Sequence, residues 1–228
     1  MEIAGKNTNS FVDMKGMIAY IVFTPGCNFN CWYCHNRHIL GNDTELLNTE
    51  EVIADIKSRK GFVDAVVISG GEPTLQSDLK EFIIGIKAMG FKIKLDTNGT
   101  RPEVIRDLLS EKLLDYVAMD IKAPFYKYEK IACSEVDKEK IEESINLLLN
   151  SEIDYEFRTT FSPDLDEADI LQIAERIRGA KLYVLQQFNK HDHMTKKTFG
   201  PHSPSYIREA ARKAEEYVKV LVKGIGVN

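Results

Sequence analysis

Short apolar runs alternate with segments whose apolar residues return every third or fourth position. The runs 17–23, 63–68, 91–95, 116–119, 153–158 and 181–185 read as strands. Between them Val52, Ile53 and Ile56 share one helical face, as do Leu79, Phe82, Ile83 and Ile86, and then Val104, Ile105, Leu108 and Leu109. Ile141, Ile145 and Leu148 repeat the pattern, followed by Ile170, Ile173, Ala174 and Ile177. Asn48 with Glu51 and Thr100 with Glu103 each pair a side-chain acceptor with a carboxylate three residues on, which marks a helix start. Six β-then-α units in series imply parallel strands with helical crossovers. No Pro/Gly/Ser-rich linker interrupts them, so one domain over 1–228 is expected, with a last helix at 203–217 and a seventh strand at 218–222. Periodicity alone leaves open whether the sheet is flat or closes toward a barrel.

Unusual residues follow every strand. After the first come Cys27, Cys31 and Cys34; after the second Ser69-Gly70-Gly71-Glu72-Pro73; after the third Asp96-Thr97-Asn98-Gly99. The fourth ends in Asp120-Ile121-Lys122, the fifth in Arg158-Thr159 and the sixth in Gln186-Gln187-Phe188. In parallel α/β folds these strand ends form the active-site rim. Singly, Gly70-Gly71 and Asn98-Gly99 could be plain turns, and Asp120 with Lys122 an internal ion pair.

Composition narrows the function. The chain is 43% hydrophobic, enough for a sizeable core, and its net charge of -5 carries no basic block of the kind a nucleic-acid binder shows. Residues 1–10 lack the apolar core of a secretory signal, and no run approaches the ~18 apolar residues of a membrane span. A cytoplasmic protein without nucleic-acid or membrane partners is expected. Three of the four cysteines lie in one loop, which in a reducing compartment reads as metal or redox chemistry. Iron-sulfur clusters are normally held by four cysteines, so three would leave one iron open to another ligand. Cys133, alone in the sequence, reads as an ordinary buried thiol.

The cysteine trio with an aromatic before its last member, followed by Gly-Gly-Glu-Pro, resembles the radical S-adenosylmethionine superfamily. Cys34-His35-Asn36-Arg37 resembles the activases of glycyl radical enzymes. Phe11-Val12-Asp13 and the run from Val22 to Cys27 are most similar to activating proteins of anaerobic ribonucleoside-triphosphate reductase. The resemblance covers about 11–188 and implies a partial (β/α)6 barrel of TIM type.

By that resemblance Cys27, Cys31 and Cys34 would hold three irons of a four-iron, four-sulfur cluster whose fourth iron binds S-adenosylmethionine. Reductive cleavage would give a 5′-deoxyadenosyl radical that places a glycyl radical on a partner enzyme, with a flavodoxin- or ferredoxin-type reductant. Tyr33 would face adenine and Gly70 and Gly71 the cofactor's ammonium. Lys122 would reach its carboxylate and Arg158 its carboxylate or ribose, with Glu72, Asp96 and Asn98 completing the cofactor set. A monovalent cation would lie among Asp96, Thr97, the Ala118 carbonyl and Asp120. The segment 188–204, with His191, His193, Lys190, Lys196 and Lys197, departs from the activases and could be a lid or meet an acidic partner. Two alternatives stand: radical chemistry on a small molecule of deazapurine or pterin type, and a structural zinc module closed by His35 or His38.

Overall fold

In a computed structural model, which describes residues 1–41, 43–190, 192, 194–195 and 200–225, the chain falls into two compact units. All six expected strands and all the expected helices are present.

The first unit comprises 1–28, 36–97 and 101–118. Its strands β1 (Gly5–Ser10), β2 (Ala19–Thr24), β3 (Ala65–Gly70), β4 (Lys92–Thr97) and the start of β5 (Tyr116–Asp120) lie side by side in that order. β2 to β4 are parallel, with Ala19 opposite Ala65 and Thr24 opposite Gly70. Ala65, Val66, Val67 and Ile68 are all fully buried, because a parallel strand covered on both faces carries an unbroken apolar run. Helix α1 (Thr49–Ser58) buries Val52 and Ile56, α2 (Leu79–Ala88) buries Leu79, Phe82, Ile83 and Ile86, and α3 (Pro102–Ser110) buries Ile105 and Leu108. Asn48 caps α1, accepting from the Glu50 and Glu51 amides. Thr100 does not cap α3. Its amide and hydroxyl both donate to Asn98 Oδ1, and the helix starts after Arg101 with Pro102 in its first turn.

β1 is absent from the periodicity. Its sequence, Gly-Lys-Asn-Thr-Asn-Ser, has no apolar face, and it pairs antiparallel with β2 as an added strand.

The second unit comprises 29–35, 98–100 and 119–228. β6 (Asp154–Phe161), β7 (Tyr183–Gln187) and β8 (Val220–Lys223) are parallel neighbours. β8 is the expected seventh strand. Arg158 lies within β6 opposite Val184, not at its end. A short helix α4 (Tyr128–Ala132) precedes α5 (Lys138–Leu149), α6 (Glu167–Arg176) and α7 (Pro204–Ala214). Asp137 and Ser203 cap α5 and α7, and Asp166 forms a reciprocal capping box with Asp169 on α6. No helix among the described residues is long and apolar enough to cross a membrane.

Candidate functional site

In the first unit, β2 delivers the chain through Pro25 and Gly26 to Cys27, and β3 holds that segment from the side. The Gly71 amide donates to Thr24 O at 2.9 Å and the Glu72 amide to Gly26 O at 2.9 Å. Gly70, at φ 118°, and Gly71 are glycines for this reason. A Cβ on Gly70 would lie 2.3 Å from Thr24 N, and one on Gly71 would lie 1.7 Å from Gly26 O. The two glycines therefore admit the backbone that carries Cys27. Asn36, two residues past Cys34, donates from Nδ2 to Gly70 O at 2.8 Å, so the end of the cysteine loop is tied to the same turn.

Glu72 is buried, and its Oε1 accepts from the Thr74 amide and hydroxyl and from Thr97 Oγ1 at 2.7 Å. That oxygen anchors the turn, an assignment its motif did not suggest. Asp96, also buried, accepts from Ser69 Oγ at 3.2 Å and pairs with Lys94 Nζ at 3.6 Å. Ala118 is fully buried in β5.

In the second unit the Asn30 amide donates to Ala132 O at 2.9 Å and the Cys34 amide to Cys31 O at 3.1 Å, which fold the remaining loop. Tyr33 is only 4% exposed, its ring edge-on to Trp32 and Phe188. Its expected adenine-facing ring is thus packed among aromatics, and burial pushes its phenol well above the usual range. Asp120 accepts from Arg158 Nε at 2.7 Å and from Lys122 Nζ at 2.9 Å. Burial pushes the Asp120 carboxyl up, but Arg158 and Lys122 together overcome this and hold it well below the carboxylate range. For Lys122, burial opposes the charge while Asp120 restores it, so the ammonium persists far above neutral pH. Burial raises the Cys31 thiol to about 11, and Lys122 is the charge that counters this. Asn98 makes the expected turn, with Gly99 at φ 77° beneath Met119.

Among the described residues, no group of three or more His, Cys, Asp or Glu converges enough to hold a metal ion. A tetrahedral zinc needs four donors within about 2.0–2.3 Å of one point. A cluster instead spreads its thiolates over separate irons. A ligand thiol must lose its proton; burial opposes this at Cys31, and the Lys122 ammonium offsets part of that opposition. In its chemistry, the donor set of three thiols in one loop suits a cluster.

Residues 21–177, a span that runs through both units, match the Radical SAM superfamily. The chain belongs to that superfamily. A candidate glycyl-radical enzyme activating enzyme of Methanocaldococcus jannaschii is 40% identical over 222 residues, which cover 93% of this chain and 91% of the relative. Two solved structures share the fold. Streptococcus suis SuiB has a TM-score of 0.72 at 14% identity over 90% of this chain and 48% of SuiB, so the chain spans about half of that protein. A domain of pyruvate-formate lyase-activating enzyme from Bacteroides vulgatus has a TM-score of 0.58 at 19% identity, over 71% of this chain and 99% of that domain. The α/β fold expected from the sequence is therefore that of radical SAM enzymes, which work with a four-iron, four-sulfur cluster and S-adenosylmethionine; SuiB has also been solved with S-adenosylmethionine bound.

One expectation within this radical SAM chain is corrected. Cys133 is exposed, at the left-handed C-terminus of α4 with φ 51°, and its Sγ contacts Lys130 O. His202 is held by the Ser162 and Leu165 carbonyls and packs on Phe161 and Tyr206. His191, His193, Lys196 and Lys197 lie outside the described residues. Sequence reasoning passed over Asn36 as an anchor, although it stands in the activase motif, and over Lys94, a charge inside an otherwise apolar run.

Proposed function

We propose that this radical SAM protein activates a glycyl radical enzyme. The observation that carries the reading is the relative aligned over 93% of the chain at 40% identity, itself a candidate activating enzyme. Cys27, Cys31 and Cys34 would hold the cluster, which when bound supplies one electron to cleave S-adenosylmethionine into methionine and the radical that takes the partner's glycine hydrogen. The chain's own residues bind and orient. Lys122 would take the cofactor's carboxylate, kept charged by Asp120, which Arg158 in turn holds. The Gly70–Gly71 turn, fixed by Asn36, would present carbonyls to its ammonium. Tyr33, Glu72 and Asn98 would complete its surroundings, Glu72 through the turn it anchors. The opening segment Phe11-Val12-Asp13 favours anaerobic ribonucleoside-triphosphate reductase as partner, with a flavodoxin- or ferredoxin-type reductant and a cytoplasmic setting.

Lys122→Ala should retain full iron while S-adenosylmethionine affinity falls roughly 10- to 100-fold, since a charge-assisted hydrogen bond contributes about 1.5–3 kcal/mol. Asp120→Ala should act in the same direction. Titration of the cofactor into the reduced proteins checks both, and unchanged affinity would leave these residues as a structural ion pair.

The function itself is tested by mixing reconstituted protein, reductant, S-adenosylmethionine and the anaerobic reductase without oxygen. Electron paramagnetic resonance should show a glycyl doublet on the reductase, with methionine and 5′-deoxyadenosine formed. Cofactor products that appear only with a small metabolite, and no radical on any partner, would replace this reading with small-molecule chemistry.

A further inference from the structure

Residues 11–18 lie at the end of the first unit opposite the cysteines. β1 ends at Ser10, facing Ala19 where β2 begins, and β3 and β4 begin alongside at Ala65 and Lys92. Cys27 follows the other end of β2, roughly 17 Å away along the strand. At the near end Phe11 and Val12 are 71% and 78% exposed, the most exposed large apolar side chains among the described residues. Single exposed apolar residues are common, but these two are adjacent and their loop is fixed from behind. Ser10 Oγ accepts from the Val12 and Asp13 amides at 3.3 Å, and the buried Lys94 ammonium donates to Asp13 O at 2.5 Å. Met14 is buried against Ala19, Ile21, Ala65 and Val67. A loop anchored in this way offers its apolar tip with little left to order on contact, which favours binding.

The same loop runs on into one wall of a recess of about 490 Å3, whose other walls come from the segments 60–64 and 90–92. Met17, Val63 and Phe91 line it, and Phe62, between two lining residues, is 57% exposed. Its charges are not balanced. Asp13 accepts from the Ser10 hydroxyl, Asp64 from the Ile18 amide at 2.9 Å, and Asp115 from Lys87 and Lys92 at 3.0 and 2.9 Å. The ammoniums of Lys15 and Lys60, both exposed, have no carboxylate partner among the described residues, on a chain whose net charge is -5. Lys60 overhangs the recess, its Nζ 3.6 Å from where a Cβ on Gly90 would lie.

We propose that this end of the first unit docks an acidic segment of the partner enzyme that carries an apolar anchor. Phe11, Val12 and Phe62 make the apolar contacts, and Lys15 and Lys60 meet the segment's carboxylates. A small anion would use the lysines alone and leave the apolar side chains uncovered, so a protein segment is the better match to both halves of the surface. The cysteine end stays free for the partner's glycine. The proposal rests on the reading of this chain as an activator of a glycyl radical enzyme, which supplies the partner.

The test is binding of the reconstituted protein to immobilised anaerobic ribonucleoside-triphosphate reductase, without S-adenosylmethionine, over a range of salt. Phe11→Ser combined with Val12→Ser should weaken binding roughly 10- to 100-fold, since exposed apolar anchors carry much of an interface's energy. Its melting temperature and its reductive cleavage of S-adenosylmethionine in the absence of the reductase should match wild type. Lys15→Glu combined with Lys60→Glu should slow association and remove most of the salt dependence. No wild-type binding, or equal affinity of the Phe11/Val12 variant, would overturn the proposal. Sedimentation of the chain alone adds a further check: a wild-type dimer that the same variant dissolves would assign the surface to a second copy and overturn it as well. The glycyl radical signal separates the two levels of inference. Wild-type binding with the expected losses but no radical would sink the activator reading alone, whereas a radical formed equally well by wild type and variant at limiting concentrations would sink the docking surface alone.

Discussion

Cys31→Ser should leave the anaerobically reconstituted protein nearly devoid of iron, while Cys133→Ser should load as wild type does. Cys31 is 6% exposed and Lys122 offsets part of the burial that disfavours its thiolate. A serine hydroxyl in that place is a far weaker acid than a thiol and a harder ligand, so the soft iron-sulfur centre loses a corner. With only three cysteines in the loop, two remain, too few to retain a cluster.

Cys133 is the informative control because it is exposed and close enough to Cys31 to influence its charge. The bond from the Asn30 amide to Ala132 O sets the two cysteines on adjoining backbone. A substitute ligand would come from there. Iron and sulfide analysis with the visible absorption of the cluster checks both variants. Full iron in Cys31→Ser, or lost iron in Cys133→Ser, would show that the site is not the three-cysteine loop.

What the sequence disclosed follows from which forces are local. Strands such as Ala65–Gly70 are apolar on both faces because both faces are covered, and the period of α2 records the single face it buries. Those signals lie in consecutive residues. β1 gave none, since an added strand of Lys, Asn, Thr and Ser is held by backbone bonds to β2 that any side chain permits. Thr100 had the spacing of a cap, yet a nearer acceptor, Asn98 Oδ1, took its amide and hydroxyl. The cysteines and Gly-Gly-Glu-Pro were legible as a motif, but their reasons were not. That Gly71 makes room for Gly26, or that Asn36 reaches Gly70, depends on residues more than thirty positions apart. Lys94 gave no signal of its own within the strand, and only the placement of Asp13, Asp96 and Tyr116 around it makes it an interior cation.

The close approach at Gly71 carries the largest stability effect expected from so small a change. Gly71→Ala adds one methyl group, 1.7 Å from Gly26 O, and the obstacle is backbone, which cannot swing aside as a side chain would. The turn and the segment leading to Cys27 must separate, breaking the bonds from the Gly71 amide to Thr24 O and from the Glu72 amide to Gly26 O. Each such bond contributes about 1 kcal/mol net, and the overpacking itself costs about 1–3 kcal/mol, so a loss of roughly 3–5 kcal/mol is expected. Gly85→Ala is the matched control. It lies in α2, is exposed and has open space where its Cβ would be, so the same substitution should stabilise by about 0.5–1 kcal/mol through helix propensity. Urea denaturation of the cluster-free proteins measures both. Because Cys27 rides on the displaced segment, Gly71→Ala should also load less iron under conditions where it is still folded. A Gly71→Ala protein with wild-type stability and a full cluster would mean that the glycine pair is not what seats the cysteine loop against β3.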